Sequence, residues 1–92
     1  MQSKSTRTWS EILESTSYGR LYVVWRIAGT RFICHRLRRK GTKLYECTGE
    51  RITIERTPSS QVIPEKGDYC FVDSGGVWSL WAVREKEDAV PG

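Results

Sequence analysis

Apolar residues recur along this chain in two rhythms: a short stretch with helical spacing, then a long series alternating with polar neighbours. At Thr8-Trp9-Ser10-Glu11 the pattern S/T-x-x-E appears, in which the hydroxyl and the carboxylate satisfy free amides of a helix's first turn. Trp9, Ile12, Leu13 and Thr16 then share one helical face, and Gly19 is placed to stop the helix. One short helix over residues 9 to 17 is predicted.

From Arg20 the period changes to two and the composition shifts to Val, Ile, Tyr, Trp, Phe and Thr, which is strand chemistry. Leu21, Val23, Trp25 and Ile27 are expected on one face, ahead of a turn at Ala28-Gly29-Thr30. A second strand over residues 31 to 38 puts Ile33 and Leu37 opposite to Phe32 and Cys34. Lys40-Gly41 offers the next reversal, since glycine tolerates the positive φ of a tight hairpin, and residues 43 to 48 form the third strand.

Gly49 separates this from residues 51 to 56, where Ile52 and Ile54 point one way and Arg51, Thr53 and Glu55 the other. Residues 57 to 68, broken by Pro58 and Pro64, read as an exposed loop. Two last strands, 69 to 73 and 77 to 84, meet at Ser74-Gly75-Gly76. Trp78 and Trp81 have opposite parity and so belong to opposite faces. Residues 1 to 7 read as a loose basic arm and 85 to 92 as a frayed tail of a single domain spanning 1 to 92.

The predicted class is mainly β (α+β): one N-terminal helix packed on a strongly bent antiparallel sheet, or a small SH3- or OB-like barrel, of about five to six strands. A barrel is favoured because closure hides sheet edges. A chain of 92 residues buries roughly 60 to 65% of its unfolded surface, which leaves little room for a deep substrate cavity. Binding at a surface is the easier use.

Charge changes this picture. Residues 1 to 50 hold ten Lys and Arg against four Glu, while residues 51 to 92 hold five against seven Asp and Glu. A basic half in a chain of pI near 9.2 suggests attraction to a polyanion. The surplus concentrates in His35-Arg36-Leu37-Arg38-Arg39-Lys40-Gly41-Thr42-Lys43. Because that run lies between alternating apolar strands, it becomes a hairpin tip and not a charged tail.

The hairpin is expected to gather Arg31, Arg36, Arg38, Arg39, Lys40 and Lys43, whose cationic groups would neutralise phosphates and release counterions. Tyr22, Tyr45 and Trp78 are the aromatics expected to be exposed, where bases could stack at about 1 to 3 kcal/mol each. Trp25 and Phe32, like Tyr22 and Tyr45, lie on the strands that would flank these cations.

Other chemistry finds less support. His35 is the single histidine, and on a strand its neighbour Cys34 faces the other way, which excludes a Cys-His nucleophile by adjacency. Cys34, Cys47 and Cys70 have no CxxC spacing, so no disulfide framework, metal site or cofactor is expected, and a reducing cytoplasm fits three thiols. No nucleotide-binding glycine motif or apolar run of membrane-spanning length occurs, and because residues 1 to 8 lack an apolar h-region no signal peptide is expected.

The expected function is therefore a non-enzymatic module whose basic hairpin, Arg36 to Lys43, contacts nucleic acid or a nucleoprotein complex. The alternative is a small protein-binding inhibitor or adaptor, of the kind viruses and mobile elements encode, that blocks a host nucleic-acid-handling machine through arginine and aromatic anchors. A small ribonuclease using His35 with Arg and Glu partners is the enzymatic alternative.

Overall fold

A computed structural model of the protein describes residues 4–57, 59 and 61–83. The elements are β1 (Lys4–Arg7), α1 (Trp9–Ser15), β2 (Arg20–Ala28), β3 (Arg31–Lys40), β4 (Lys43–Glu55), β5 (Tyr69–Val72) and β6 (Trp78–Val83). They build one mixed six-stranded sheet in the order β1-β6-β5-β2-β3-β4. All neighbours are antiparallel except the parallel pair β1 and β6.

The helix starts as its capping pattern predicts. The Thr8 side chain accepts from the Glu11 amide at 3.2 Å, and the Glu11 carboxylate accepts from the Thr8 amide at 2.8 Å. It stops earlier, at Ser15 with Thr16 as its cap, so Gly19 does not end it. Gly19 serves close packing instead: a Cβ there would lie 2.3 Å from Cζ of Phe71.

Both faces of the sheet bury side chains, which is why β2 carries the consecutive buried pair Leu21 and Tyr22. On one face Ile12 of α1 packs with Leu21, Leu37, Phe71 and Trp81. On the other, Tyr22, Val24, Phe32, Cys34, Cys70, Val72 and Leu80 pack with Ile52, Ile54, Val62 and Trp78. Trp78 and Trp81 thus fall on opposite faces.

The sheet does not close, so the barrel expectation is corrected. The helix covers one face and the segment carrying Val62 helps cover the other, leaving β1 and β4 as edges. Lys4–Arg7 is a strand and not a loose arm, held by the β6 ladder, by Lys4 against Asp68 at 3.0 Å, and by Arg7 over the Trp81 ring at 4.8 Å. The tail at 85 to 92 lies outside the described residues, as do Met1, Gln2 and Ser3.

Two further corrections concern the middle of the chain. Gly49 does not divide two strands; residues 43 to 55 form one strand whose pairing with β3 slips between His35 and Leu37, so that Cys47 to Glu50 bulge opposite Arg36. The 57 to 68 loop is not wholly exposed. Pro64 and Asp68 are buried, and Asp68 accepts from the Glu65 amide at 2.9 Å. Among the described residues no helix is long and apolar enough to cross a membrane.

Candidate functional site

Cross-strand register decides which basic side chains meet. Lys40 stands opposite Lys43, and Arg38 opposite Tyr45. Directly opposed residues share a sheet face, and so do residues two apart on one strand. Arg38, Lys40, Lys43 and Tyr45 therefore form one exposed group at the β3-β4 tip, with Gly41 at φ 64° making the turn. Tyr45 is 49% exposed, as expected.

The remaining candidates are arranged differently. Arg39 points to the helix side, where its Nε donates to the Gly41 carbonyl at 2.7 Å and its guanidinium donates to the Leu13 carbonyl at 3.3 Å. Those bonds tie the tip to the last turn of α1. Arg36 lies over the Tyr22 ring at 5.7 Å and 3.7 Å from Glu50, a carboxylate that it shares with Arg38.

Arg31 sits at the opposite end of β3, beside Glu55 at 3.5 Å. Nine residues of extended strand, roughly 30 Å, separate it from Lys40, so the expected gathering of all six cations does not occur. Tyr22 is only 4% exposed and belongs to the core. Trp78 is half-buried, its ring edge-on to Phe32 at 5.3 Å. Neither is an open stacking platform.

Alternation puts Trp25 on the face of Leu21 and Val23, and on that face the ring is exposed. Trp25 stacks on His35, the cross-strand partner of Val23, at 4.7 Å, and is 44% exposed; the β2-β3 register slips around it, between Val24 and Arg26. His35 Nδ1 lies 2.8 Å from Glu46 Oε1. Beside them the β4 bulge shapes a cleft of about 360 Å³, with Arg51 across the ladder from His35. Alternation alone carries no signal for a bulge, so what it misses is Ile27, which the slip moves off the face of Leu21 and Val23 to stand opposite Phe32.

A second depression, of about 550 Å³, runs on the helix side beside Trp9, Leu44 and Tyr69. Cys34 and Cys70 are buried on the core face, Cys47 is in the bulge, and His35 is on the other face. These four do not converge, and among the described residues no cluster of His, Cys, Asp or Glu suited to a metal ion occurs. Compared with protein-family models, with curated proteins and with solved structures, the chain matches none.

Proposed function

We propose that this domain is a non-enzymatic nucleic-acid-binding module that contacts the phosphate backbone through Arg38, Lys40 and Lys43, with Tyr45 placed to stack on a base. One observation carries the reading: two lysines stand directly opposite each other on an exposed hairpin. Like charges in that position destabilise a sheet. The fold gains nothing from them, whereas a polyanion does.

Arg38 adds to this surplus because the nearby Glu50 is shared with Arg36. The reach of the group suits a backbone as well. Opposed residues lie about 5 Å apart and residues two apart on a strand about 7 Å, comparable to successive phosphates on a nucleic-acid strand. Arg39 is a positioning residue in this scheme, holding the tip against α1. A cytoplasmic, reducing setting suits the three free thiols.

Fluorescence anisotropy with labelled single-stranded RNA, single-stranded DNA and duplex tests the proposal. Replacing Arg38, Lys40 and Lys43 together by alanine removes three phosphate contacts. The slope of log affinity against log salt should then become shallower by about 2 on single strands or about 2.7 on duplex. Lack of binding to all three probes at low salt overturns the reading. Recovery of one stoichiometric protein partner after nuclease treatment would favour the inhibitor or adaptor instead.

A further inference from the structure

The C-terminal half of β4 carries information that phosphate binding does not use. Residues Arg51-Ile52-Thr53-Ile54-Glu55 form a regular edge whose burial alternates exposed, half-buried, exposed, half-buried, exposed. An unprotected edge of this kind invites pairing with another strand, and proteins usually blunt it with proline, bulges or inward charge. The bulge at Cys47 to Glu50 blunts the first half of β4. Arg51 to Glu55 has neither proline nor bulge, and its two edge charges, Arg51 and Glu55, are opposite in sign.

Register shows which backbone groups are on offer. The Arg56 amide donates to the Thr30 carbonyl at 2.9 Å, so Thr30 and Arg56 are a hydrogen-bonded pair. In an antiparallel ladder such pairs alternate with non-hydrogen-bonded ones. Phe32 with Ile54 and Cys34 with Ile52 are then bonded inward. The N–H and C=O groups of Arg51, Thr53 and Glu55 consequently point away from β3, toward the free edge.

The same segment is complementary to itself. Laid antiparallel on a second copy about Thr53, it sets Arg51 opposite Glu55, Thr53 opposite Thr53 and Glu55 opposite Arg51. All three are residues whose backbone groups face outward, giving about six hydrogen bonds. Ile52 meets Ile54 in the closer, non-hydrogen-bonded positions, where β-branched pairs pack well. Both isoleucines already pack on the core, so the row Ile27, Phe32, Ile54 would continue into Ile52 and Cys34 of the second copy.

We propose that β4 is a homodimerisation edge, with two copies joining through Arg51 to Glu55 into one continuous twelve-stranded sheet (roughly twice six strands by symmetry). Opposite charge selects the occupant: among the described residues Arg51 has no ion-pair partner, and Glu55 has only the exposed Arg31 at 3.5 Å. Such exposed pairs are weak and readily rearranged. A five-residue strand pairing is a smaller contact than a standard interface, so the dimer is reversible and depends on concentration.

Sedimentation equilibrium of the full chain tests this. The wild type should shift with concentration from 10.6 kDa toward twice that mass. Thr53→Pro removes an outward-facing amide without touching the β3 ladder and should hold the protein at the monomer mass with an unchanged circular dichroism spectrum. Arg51→Glu and Glu55→Arg should each be monomeric alone, because like charges oppose at both ends. Mixed in equal amounts they should associate, since every opposed pair is again opposite in sign. A wild type that stays monomeric throughout, a folded Thr53→Pro that still dimerises, or charge variants that ignore each other on mixing would each overturn the proposal.

Discussion

Replacing Gly19 by alanine tests the packing that joins the helix to the sheet. An added Cβ would lie 2.3 and 2.4 Å from Cζ and Cε1 of Phe71 and 2.9 Å from the Val72 carbonyl oxygen, against an ordinary carbon contact of about 3.5 to 4.0 Å. Relief requires the Phe71 ring to move by more than ~1 Å. That ring is held by stacking on Trp81 at 4.8 Å and by the Tyr18 edge at 5.6 Å. Val72 is fixed by its pairing with Arg20. Overpacking costs about 1 to 3 kcal/mol, and a disrupted aromatic pair about 1 kcal/mol more. Gly→Ala on an unstrained backbone would instead stabilise by roughly 0.4 to 1 kcal/mol. The two accounts therefore differ in sign. A net loss of about 3 kcal/mol lowers Tm by roughly 12 to 24 °C for a domain of this size, read by thermal and urea denaturation. Phe71→Leu removes the clashing ring atoms, so Gly19→Ala should cost less in that background, a coupling that a double-mutant cycle measures. A Gly19→Ala protein as stable as its parent, or an equal cost in both backgrounds, would refute the close-contact argument.

Lys43→Glu converts a like pair opposite Lys40 into an opposite pair and should raise stability by about 0.2 to 1 kcal/mol in denaturant titrations, while weakening nucleic-acid binding in the anisotropy assay. Thiol titration of the native protein should give one rapid equivalent, from half-buried Cys47 in the bulge; a hydrogen bond with Cys34, together with burial, pushes the Cys70 thiol far up, so that pair should react only on unfolding. Lys4 gives a pH dependence. Partial burial acts to lower its pKa, but hydrogen bonds and charge from Asp68 and Glu65 outweigh this and raise it above the ordinary value of 10.5. Because the folded value is the higher, the stabilisation is complete below the unfolded pKa and is lost as pH rises through the folded one. Urea titrations at alkaline pH should show that loss, and Lys4→Met should remove it.

What the sequence made legible follows from what alternation and turn chemistry encode. The capping pattern at Thr8 to Glu11, the turns at Gly29, Gly41 and Gly76, and the opposite facing of Ile52 and Thr53 are local consequences of residue type, and each is present in the fold. The bulges were not legible, because an inserted residue leaves no mark on a pattern until a partner strand defines the register. This is why Ile27 leaves the face of Leu21 and Val23 and why β4 continues through Gly49. β1 was invisible for another reason: Lys4 to Arg7 has no apolar side chain, and the strand exists through its ladder to β6 and through Lys4 and Arg7. Double-sided burial defeated the choice of Tyr22 as an exposed aromatic, since a sheet covered on both faces buries Tyr22 and Leu21 alike, whereas Tyr45 on the edge strand is exposed.

The two proposed surfaces occupy the two ends of a single strand, and the bulge between them keeps their chemistries apart. At the tip, like charges gather at a cost to the sheet; at the other end, Arg51 and Glu55 make the edge attractive to its own copy. Without the irregularity at Cys47 to Glu50, β4 would present one unbroken edge, and a second copy could slip along it by two residues while keeping its isoleucines on the same face. The bulge ends the regular edge at Arg51, which favours the register centred on Thr53. An antiparallel pairing there relates the copies by a two-fold axis perpendicular to the sheet. Both faces carrying Arg38, Lys40 and Lys43 then look the same way, each roughly 20 Å from the axis, since Thr53 pairs with Ile33, five to seven residues from Arg38 and Lys40. Two tips held on one side of a continuous sheet can engage a single polyanion together, and the second contact then forms at a high effective concentration. Weak dimerisation and modest affinity per tip are thus compatible with firm binding to a long strand, and binding to probes too short to reach both tips should lack that gain.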